Sequence, residues 1–314
     1  MVNSKLFENW TLRFKPLNIN EIQIESGLRN KFLRMIIQKS VPNLIIYGPP
    51  GSGKTTIVCK KNLENFLNLN ASHIGGIDTV RLKIKSFCKL KNSSNQFLKK
   101  FIIIDEAESL TEIAQEALRR TVENFSNTIR FIFICNYPSK IIEAIQSRCT
   151  VLRFKSISDF EMLKKTVKIL HKEKILFSIK ALEMLVFIAE GDMRRLLNES
   201  EIISRSFLKI TDATVKISCF VPIVFMIADF LYFILNKNHL WAFEIFIDIL
   251  NEGYSLVEII NGIFKFLKKF KIFAFKKIKF LKILCEFQIV LFEKKSEISY
   301  AILFFKKLMN NFLF

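Results

Sequence analysis

The first half of the chain alternates between short apolar segments and longer segments in which apolar residues recur every three or four positions. The short segments begin near residues 44, 67, 101, 130 and 150, and continuous apolar runs of this kind are typical of strands buried on both faces of a parallel sheet. Helical spacing is found at residues 26–38, 55–67, 80–87, 111–123 and 141–146. In the helix at 111–123 we expect four apolar side chains to face inward, Ile113, Ala114, Ala117 and Leu118. Strands that alternate with helices predict a doubly wound α/β domain ending near residue 155.

The strand pattern stops beyond residue 155. Residues 159–172, 179–190 and 192–206 have helical spacing, and almost all of 212–314 does as well. We therefore predict three segments, an α/β domain at 1–155, a small helical domain at 156–211 and a second helical domain at 212–314.

One apolar segment, at residues 217–235, is long enough to span a bilayer. Pro222 and Asp229 interrupt it, and an acid in the middle of a span is costly in lipid. A buried helix explains the segment more simply, and a membrane span is the alternative.

The charge balance suggests a polyanionic partner, because the 314 residues carry a net charge of +19. An AT-rich genome would also raise the lysine and isoleucine content and the 33 phenylalanines, so the charge alone does not decide the partner. The six cysteines form no C-x-x-C pair, which favours reduced thiols in the cytosol or nucleus and predicts no metal site of their own. Residues 1–10 have no apolar core, so we expect no secretory signal.

A phosphate-binding loop follows the first predicted strand. Residues 48–56 read GPPGSGKTT and fit the pattern G-x-x-x-x-G-K-[ST], in which glycines let backbone N–H groups surround phosphates. Lys54 is expected on the β- and γ-phosphates, and the Thr55 hydroxyl on Mg²⁺. The candidate nucleotide-binding residues are Gly48, Pro49, Pro50, Gly51, Ser52, Gly53, Lys54, Thr55 and Thr56.

Two acids follow the apolar run at 101–104. Asp105 and Glu106 stand at the carboxyl end of a predicted buried strand, where α/β sheets bind ligands. Asp105 is expected to hold Mg²⁺, and Glu106 to polarise an attacking water. A short apolar run followed by two acids is a weak signal alone, and the upstream loop makes it a strong one.

A basic segment lies between these two motifs. Residues 60–100 contain nine basic and two acidic residues, and Arg81 and Lys85 lie on one predicted helix. The run is either a solvated helix face or a contact with nucleic-acid phosphates. A second basic run, at 265–282, has the same two interpretations.

Several short motifs, taken together and in this order, resemble one family. They are VPN at 41–43, LNAS at 69–72, GID at 76–78, IDEA at 104–107, ALRRT at 117–121, QSRC at 146–149, GDMR at 191–194 and GYS at 253–255. With them the chain resembles the small subunits of replication factor C, the AAA+ clamp loader, from about residue 10 to residue 270. The last 40 or so residues match poorly.

The resemblance implies a fold and several residue roles. The fold would be an AAA+ P-loop domain with a parallel sheet, a helical lid at 156–211 and an all-α collar at 212–314 that holds a heteropentamer together. Asn136 would be the sensor that orients water near the γ-phosphate, and Arg194 would contact that phosphate from the lid. Arg148 would act in trans, as an arginine finger on ATP held by a neighbouring subunit. Arg81 and Lys85 would follow the DNA backbone.

Some positions depart from the family pattern. Lys15 stands where Arg usually precedes Pro16, residues 23–24 read Gln-Ile instead of Val-Gly, and residues 73–75 read His-Ile-Gly instead of Asn-Asp-Arg. Glu108 replaces the last Asp of the usual Asp-Glu-Ala-Asp. Asp105 and Glu106 are intact, so we expect the chemistry to be kept.

The leading hypothesis is a DNA-dependent ATPase subunit that uses ATP and Mg²⁺. Its expected partners are the other replication factor C subunits, the sliding clamp PCNA and primer-template DNA, and we expect no membrane partner. The expected location is a nucleus, with the AT-rich bias suggesting a reduced genome. One alternative is an ATP-binding scaffold subunit that hydrolyses little ATP itself. Another is a different AAA+ machine, such as an origin-loading or branch-migration motor.

Overall fold

The computed structural model describes residues 9–16, 21–22, 25–37, 41–58, 66–73, 84, 86–87, 100–126, 128–218, 222–269, 274–293 and 297–312. The chain divides into two compact units, Met1–Asp212 and Ala213–Phe314. The division into three segments at 155 and 211 stays a prediction.

The first unit contains a sheet of five parallel strands. These are β1 (Leu44–Tyr47), β2 (Phe66–Asn70), β3 (Lys100–Asp105), β4 (Ile129–Cys135) and β5 (Thr150–Arg153), in the order β2-β3-β4-β1-β5. The predicted parallel α/β sheet is confirmed. The helix predicted at 55–67 runs too far, because β2 already begins at Phe66 and shows the alternating burial of a strand.

Both faces of this sheet are covered, as the continuous apolar runs predicted. Along β3, Ile102 and Ile104 belong to one hydrophobic cluster, and Phe101 and Ile103 belong to another. Neighbouring side chains of a strand point to opposite faces, so a strand buried on both faces must be apolar at every position.

The helices of the first unit have the following bounds: α1 (Trp10–Arg13), α2 (Ser26–Ile37), α3 (Lys54–Val58), α4 (Glu112–Asn124), α5 (Glu143–Gln146), α6 (Asp159–Glu173), α7 (Ile179–Ala189) and α8 (Met193–Phe207). Hydroxyl groups cap three of them, because Thr111, Ser158 and Ser178 each accept a hydrogen bond from a backbone N–H of the first turn.

The inward face of α4 differs from the prediction at one position. Ile113 is 73 % exposed, whereas Gln115 is buried. Gln115 Nε2 donates to the carbonyls of Leu110 and Lys140 at 3.1 and 2.9 Å, and its Oε1 accepts from the Ile142 N–H at 2.8 Å. A polar side chain whose hydrogen bonds are all satisfied can occupy the core. The buried face of α4 therefore includes Gln115 and excludes Ile113, unlike the face predicted from the apolar residues alone.

Residues 156–211 are not wholly helical. Two short strands, β6 (Leu176–Phe177) and β7 (Lys209–Ile210), form a separate parallel pair. The expectation that no strand follows residue 155 is therefore wrong. Segments of two residues are too short to show periodicity in a sequence.

The N-terminal turn contacts these later helices of the same unit. The Trp10 N–H donates to Glu201 Oε2 in α8 at 2.8 Å, and Arg13 pairs with Glu173 at the end of α6. Trp10 itself is buried.

The second unit is helical throughout its described residues. Its helices are α9 (Asp212–Ser218, which starts at the last residue of the first unit), α10 (Pro222–Leu235), α11 (His239–Asn251), α12 (Leu256–Lys269), α13 (Ala274–Glu293) and α14 (Glu297–Phe312). Isoleucine, leucine and phenylalanine make up most of its core, in which Phe230, Phe246, Phe280 and Phe304 are fully buried.

The apolar segment at 217–235 does not form one continuous helix, because α9 ends at Ser218 and α10 starts at Pro222. Among the described residues, no helix combines the length and the apolar character that a membrane crossing needs.

Candidate nucleotide-binding site

The loop after β1 has the backbone of an anion cradle. Gly51 has a φ of +66°, a left-handed conformation that favours glycine. A Cβ at Gly51 would overlap the Asp192 carboxylate, and a Cβ at Gly48 would overlap the Phe154 carbonyl oxygen. Gly48 and Gly51 are therefore needed because a side chain at either position would collide with a neighbouring group, and Gly51 also because of its left-handed backbone.

Lys54 begins α3 and folds back across the loop. Its Nζ donates to the carbonyls of Gly48 and Pro49, at 2.7 Å each, and to Asn136 Oδ1 at 3.0 Å. Burial lowers the pKa of Lys54 below its usual value, while the negative charge of Glu108 acts in the opposite direction. The ammonium group thus sits in a partly desolvated site, where an anion would interact with it strongly.

The strand order explains why distant motifs meet. β4 lies between β3 and β1, so the carboxyl ends of these three strands are adjacent at one edge of the sheet. Asp105 is the last residue of β3, and Asn136 directly follows β4. Ligands of open α/β sheets bind at this edge.

Glu106 has an uncommon backbone conformation. Its φ of 54° and ψ of 40° are left-handed, which costs a residue other than glycine about 1 kcal/mol or more. The turn is supported locally, because the Glu106 N–H donates to Asp105 Oδ1 at 3.0 Å and Ser109 Oγ donates to the Glu106 carbonyl at 2.8 Å. The turn leaves the Glu106 carboxylate exposed at the site.

Asn136 is held by Glu108, one of the residues that depart from the family pattern. The Asn136 backbone N–H donates to Glu108 Oε2, and its side-chain Nδ2 donates to Glu108 Oε1, both at 2.6 Å. The Asn136 amide thereby connects Glu108 to Lys54. The sequence offered no signal for this role of Glu108, because it depends on β3 and β4 being neighbours.

Helix α8 reaches the same site through its first turn. Asp192 caps this helix, with Oδ1 accepting from the N–H groups of Arg194 and Arg195 at 2.8 and 3.3 Å. Arg194 lines a cavity of about 390 Å³ together with the loop and the strand ends.

Most of the candidate residues line this one cavity: Pro50, Gly51, Ser52, Gly53, Lys54, Thr55, Thr56, Asp105, Glu106, Asn136 and Arg194. Gly48 and Pro49 adjoin it through their bonds to Lys54. Further residues of the wall come from the N-terminal segment, Thr11, Leu12, Phe14, Lys15, Pro16 and Ile22. Their contribution could not be predicted in detail, since the wall forms only after this segment packs beside the loop.

Arg148 lies elsewhere. It does not line the cavity, and it pairs with Glu123 of α4 at 2.8 Å and donates to the Ala144 carbonyl at 2.7 Å. Arg81 and Lys85, the candidate DNA contacts, lie outside the described residues.

The site fits a nucleoside triphosphate with Mg²⁺. A glycine cradle that any Cβ would fill, a buried ammonium group and a helix that starts at Lys54 all suit phosphate oxygens. The Thr55 hydroxyl and the Asp105 carboxylate are hard oxygen donors of the kind that Mg²⁺ prefers, and both line the cavity.

Comparison with known proteins agrees with this geometry. Residues 44–157 match the model of the ATPase family associated with various cellular activities (AAA). Replication factor C subunit 4 of Oryza sativa subsp. japonica is 34 % identical over 281 residues, which is 87 % of this chain and 84 % of the relative. The chain belongs to the replication factor C small subunits. Replication factor C subunit 5 of Homo sapiens is also 34 % identical, over 83 % of this chain and 79 % of the relative.

The resemblance to replication factor C that the sequence motifs indicated is thus confirmed. The structure of this replication factor C subunit is similar to the Holliday junction branch migration motor RuvB of Thermotoga maritima, with a TM-score of 0.55 and 16 % identity over 70 % of this chain and 79 % of that one. At this identity the likeness shows a shared AAA+ fold, and it carries no statement about activity.

Proposed function

We propose that this chain is an ATP-binding and ATP-hydrolysing subunit of a replication factor C clamp loader, which places a sliding clamp on primer-template DNA. The observation that carries the proposal is the meeting of Lys54, Asn136 and the Asp105–Glu106 pair in one cavity with Arg194. The names of the relatives support the assignment to the loader, and the eukaryotic relatives support a nuclear location.

In this proposal each residue has one task. Lys54 and the loop N–H groups bind the β- and γ-phosphates and neutralise charge as it develops. Thr55 and Asp105 would hold Mg²⁺, which supplies further neutralisation of the phosphate oxygens when bound. Glu106 accepts a hydrogen bond from the attacking water at its carboxylate, and Asn136 orients that water.

The lid and a neighbouring subunit complete the site. Arg194 contacts the γ-phosphate from α8, so that ATP favours one arrangement of lid and loop. Arg148 acts on ATP held by the next subunit, which agrees with its position away from the cavity of its own chain. The net charge of +19 supports a phosphate-led, salt-sensitive contact with DNA in which Arg81 and Lys85 take part.

The test is ATP turnover by the complex copurified with this subunit, with and without primed DNA and the clamp. We expect strong stimulation that Lys54→Ala in this subunit reduces, because the main phosphate ligand is lost. The matched control is Lys164→Ala, a change at an exposed lysine of α6. The clamp-loader assignment would be refuted if the complex does not bind a sliding clamp and its ATP turnover does not change when primed DNA is added.

Hydrolysis at this particular site needs a separate variant. Glu106→Gln keeps the shape of the side chain and removes the base, so turnover in the assembled complex should fall while ATP still binds. Glu112→Gln, at an exposed carboxylate in the first turn of α4, is the control. Unchanged turnover with Glu106→Gln would mean that the subunit is a scaffold.

A further inference from the structure

We propose that Glu108 is a positioning residue that fixes which end of the Asn136 side-chain amide faces Lys54. The inference rests on the proposed function, because Asn136 is the residue that would orient the attacking water. It assigns a task to a position where this chain departs from the Asp that is usual in its family.

The geometry allows only one orientation of the amide. Asn136 Nδ2 lies 2.6 Å from Glu108 Oε1, and Asn136 Oδ1 lies 3.0 Å from Lys54 Nζ. A carboxylate only accepts hydrogen bonds and an ammonium group only donates them. Turning the amide over would place its NH₂ group against the ammonium and its oxygen against the carboxylate.

The second bond of Glu108 makes the arrangement rigid. Its Oε2 accepts from the Asn136 backbone N–H at 2.6 Å, so the carboxylate holds both the main chain and the side chain of one residue. Glu108 lies on the short turn after β3, in Ala107–Ser109, and Asn136 directly follows β4. The pair therefore joins the ends of two adjacent strands at the edge where the cavity lies.

An amide at position 108 cannot do the same work, although it has the same shape. In the Glu108→Gln variant, the oxygen of the new amide has to accept the hydrogen bond from the Asn136 backbone N–H, because a backbone N–H can only donate. The new Nε2 would then face the Asn136 side chain and would require its oxygen. That choice directs Asn136 Nδ2 at the Lys54 ammonium, which sets a donor against a donor.

A double-variant cycle in the nucleotide-free full chain tests the contact without any activity. Glu108→Gln sets a donor against a donor, and Asn136→Asp sets a carboxylate against a carboxylate. Combined, they restore complementary bonds, because the Gln Nε2 can donate to the new Asp and that Asp can accept from Lys54. We expect the double variant to unfold at a higher temperature than Asn136→Asp alone, despite the additional substitution. Strictly additive losses would overturn the proposal.

A second measurement separates positioning from packing. In the complex, Glu108→Gln should lower kcat by about tenfold and change the KM for ATP by less than about threefold, as for other residues that orient a functional group through one intervening contact. Glu108→Asp keeps a group that only accepts, so it should lose less than Glu108→Gln, and Glu112→Gln should lose nothing. If Glu108→Asp lowers kcat more than Glu108→Gln does, the size of the side chain matters more than its hydrogen-bonding character, and the proposal fails. If the cycle shows coupling but the complex shows no turnover, the proposed function fails and the contact stands.

Discussion

Asp192 gives the sharpest prediction about the contact between α8 and the phosphate-binding loop. Its carboxylate caps α8 through two backbone N–H groups and packs against Gly51. Replacing such a cap by Ala costs about 1 kcal/mol, and loss of a negative charge at a helix N-terminus costs about 0.3–1 kcal/mol more. We therefore expect Asp192→Ala to destabilise the first unit by roughly 1–2 kcal/mol.

The assay is thermal unfolding together with titration of a fluorescent ATP analogue. For a unit of 150–250 residues this loss lowers the Tm by about 2–8 °C. Binding of the analogue should weaken as well, because Arg194 loses the acceptor that fixes its backbone N–H.

Asp192→Asn is the matched control. Asn is an equally good N-cap, so this variant keeps the acceptor and loses only the charge, at a cost below about 1 kcal/mol. Glu183→Gln on the exposed side of α7 controls for the loss of a charge elsewhere. An Ala variant as stable as the unsubstituted chain, or an Asn variant as damaged as the Ala variant, would refute the reasoning.

Three further predictions concern other parts of the chain. Phe246→Ala should destabilise the second unit by about 3–5 kcal/mol in urea unfolding, because this ring is 1 % exposed, and Phe246→Leu should cost much less. Cys285 is exposed, whereas burial raises the pKa of Cys135 to about 12, so iodoacetamide at pH 8 should modify Cys285 faster than Cys135 in peptide mass spectra; equal rates at these two thiols would contradict this. Glu123→Gln removes the pair with Arg148, and since both side chains are about 40 % exposed the unfolding free energy should change by less than about 1 kcal/mol, with a loss above 2 kcal/mol as the contrary result.

The parts of the site that the sequence predicts are those in which the residue type is fixed by local chemistry. Lys54 and the glycines of its loop, and the acids that end β3, form recognisable patterns because a phosphate and a hard cation need those groups at that spacing. The apolar runs likewise predict the strands of a parallel sheet, since both faces of such strands must be apolar.

The parts that the sequence does not predict depend on contacts between distant residues. The apolar pattern of α4 cannot tell that Gln115 finds three partners from other turns and replaces Ile113 in the core. The task of Glu108 depends on the order of the strands, and the two-residue strands β6 and β7 are recognisable only once they pair with each other.

Lys54 already has hydrogen-bond partners in the protein, so the affinity for a nucleotide depends on how much stronger its bonds to a phosphate are than the bonds that they replace. An ammonium group has three N–H donors, and here all three have protein acceptors, the carbonyls of Gly48 and Pro49 and Oδ1 of Asn136. A phosphate oxygen can therefore gain Lys54 only by displacing one of them. If Asn136 is displaced, its oxygen becomes available for a water while Glu108 still holds its Nδ2. Binding of the phosphate to Lys54 then also frees the Asn136 oxygen to accept a hydrogen bond from the water. How well the water is aligned depends on how rigidly Glu108 holds Asn136.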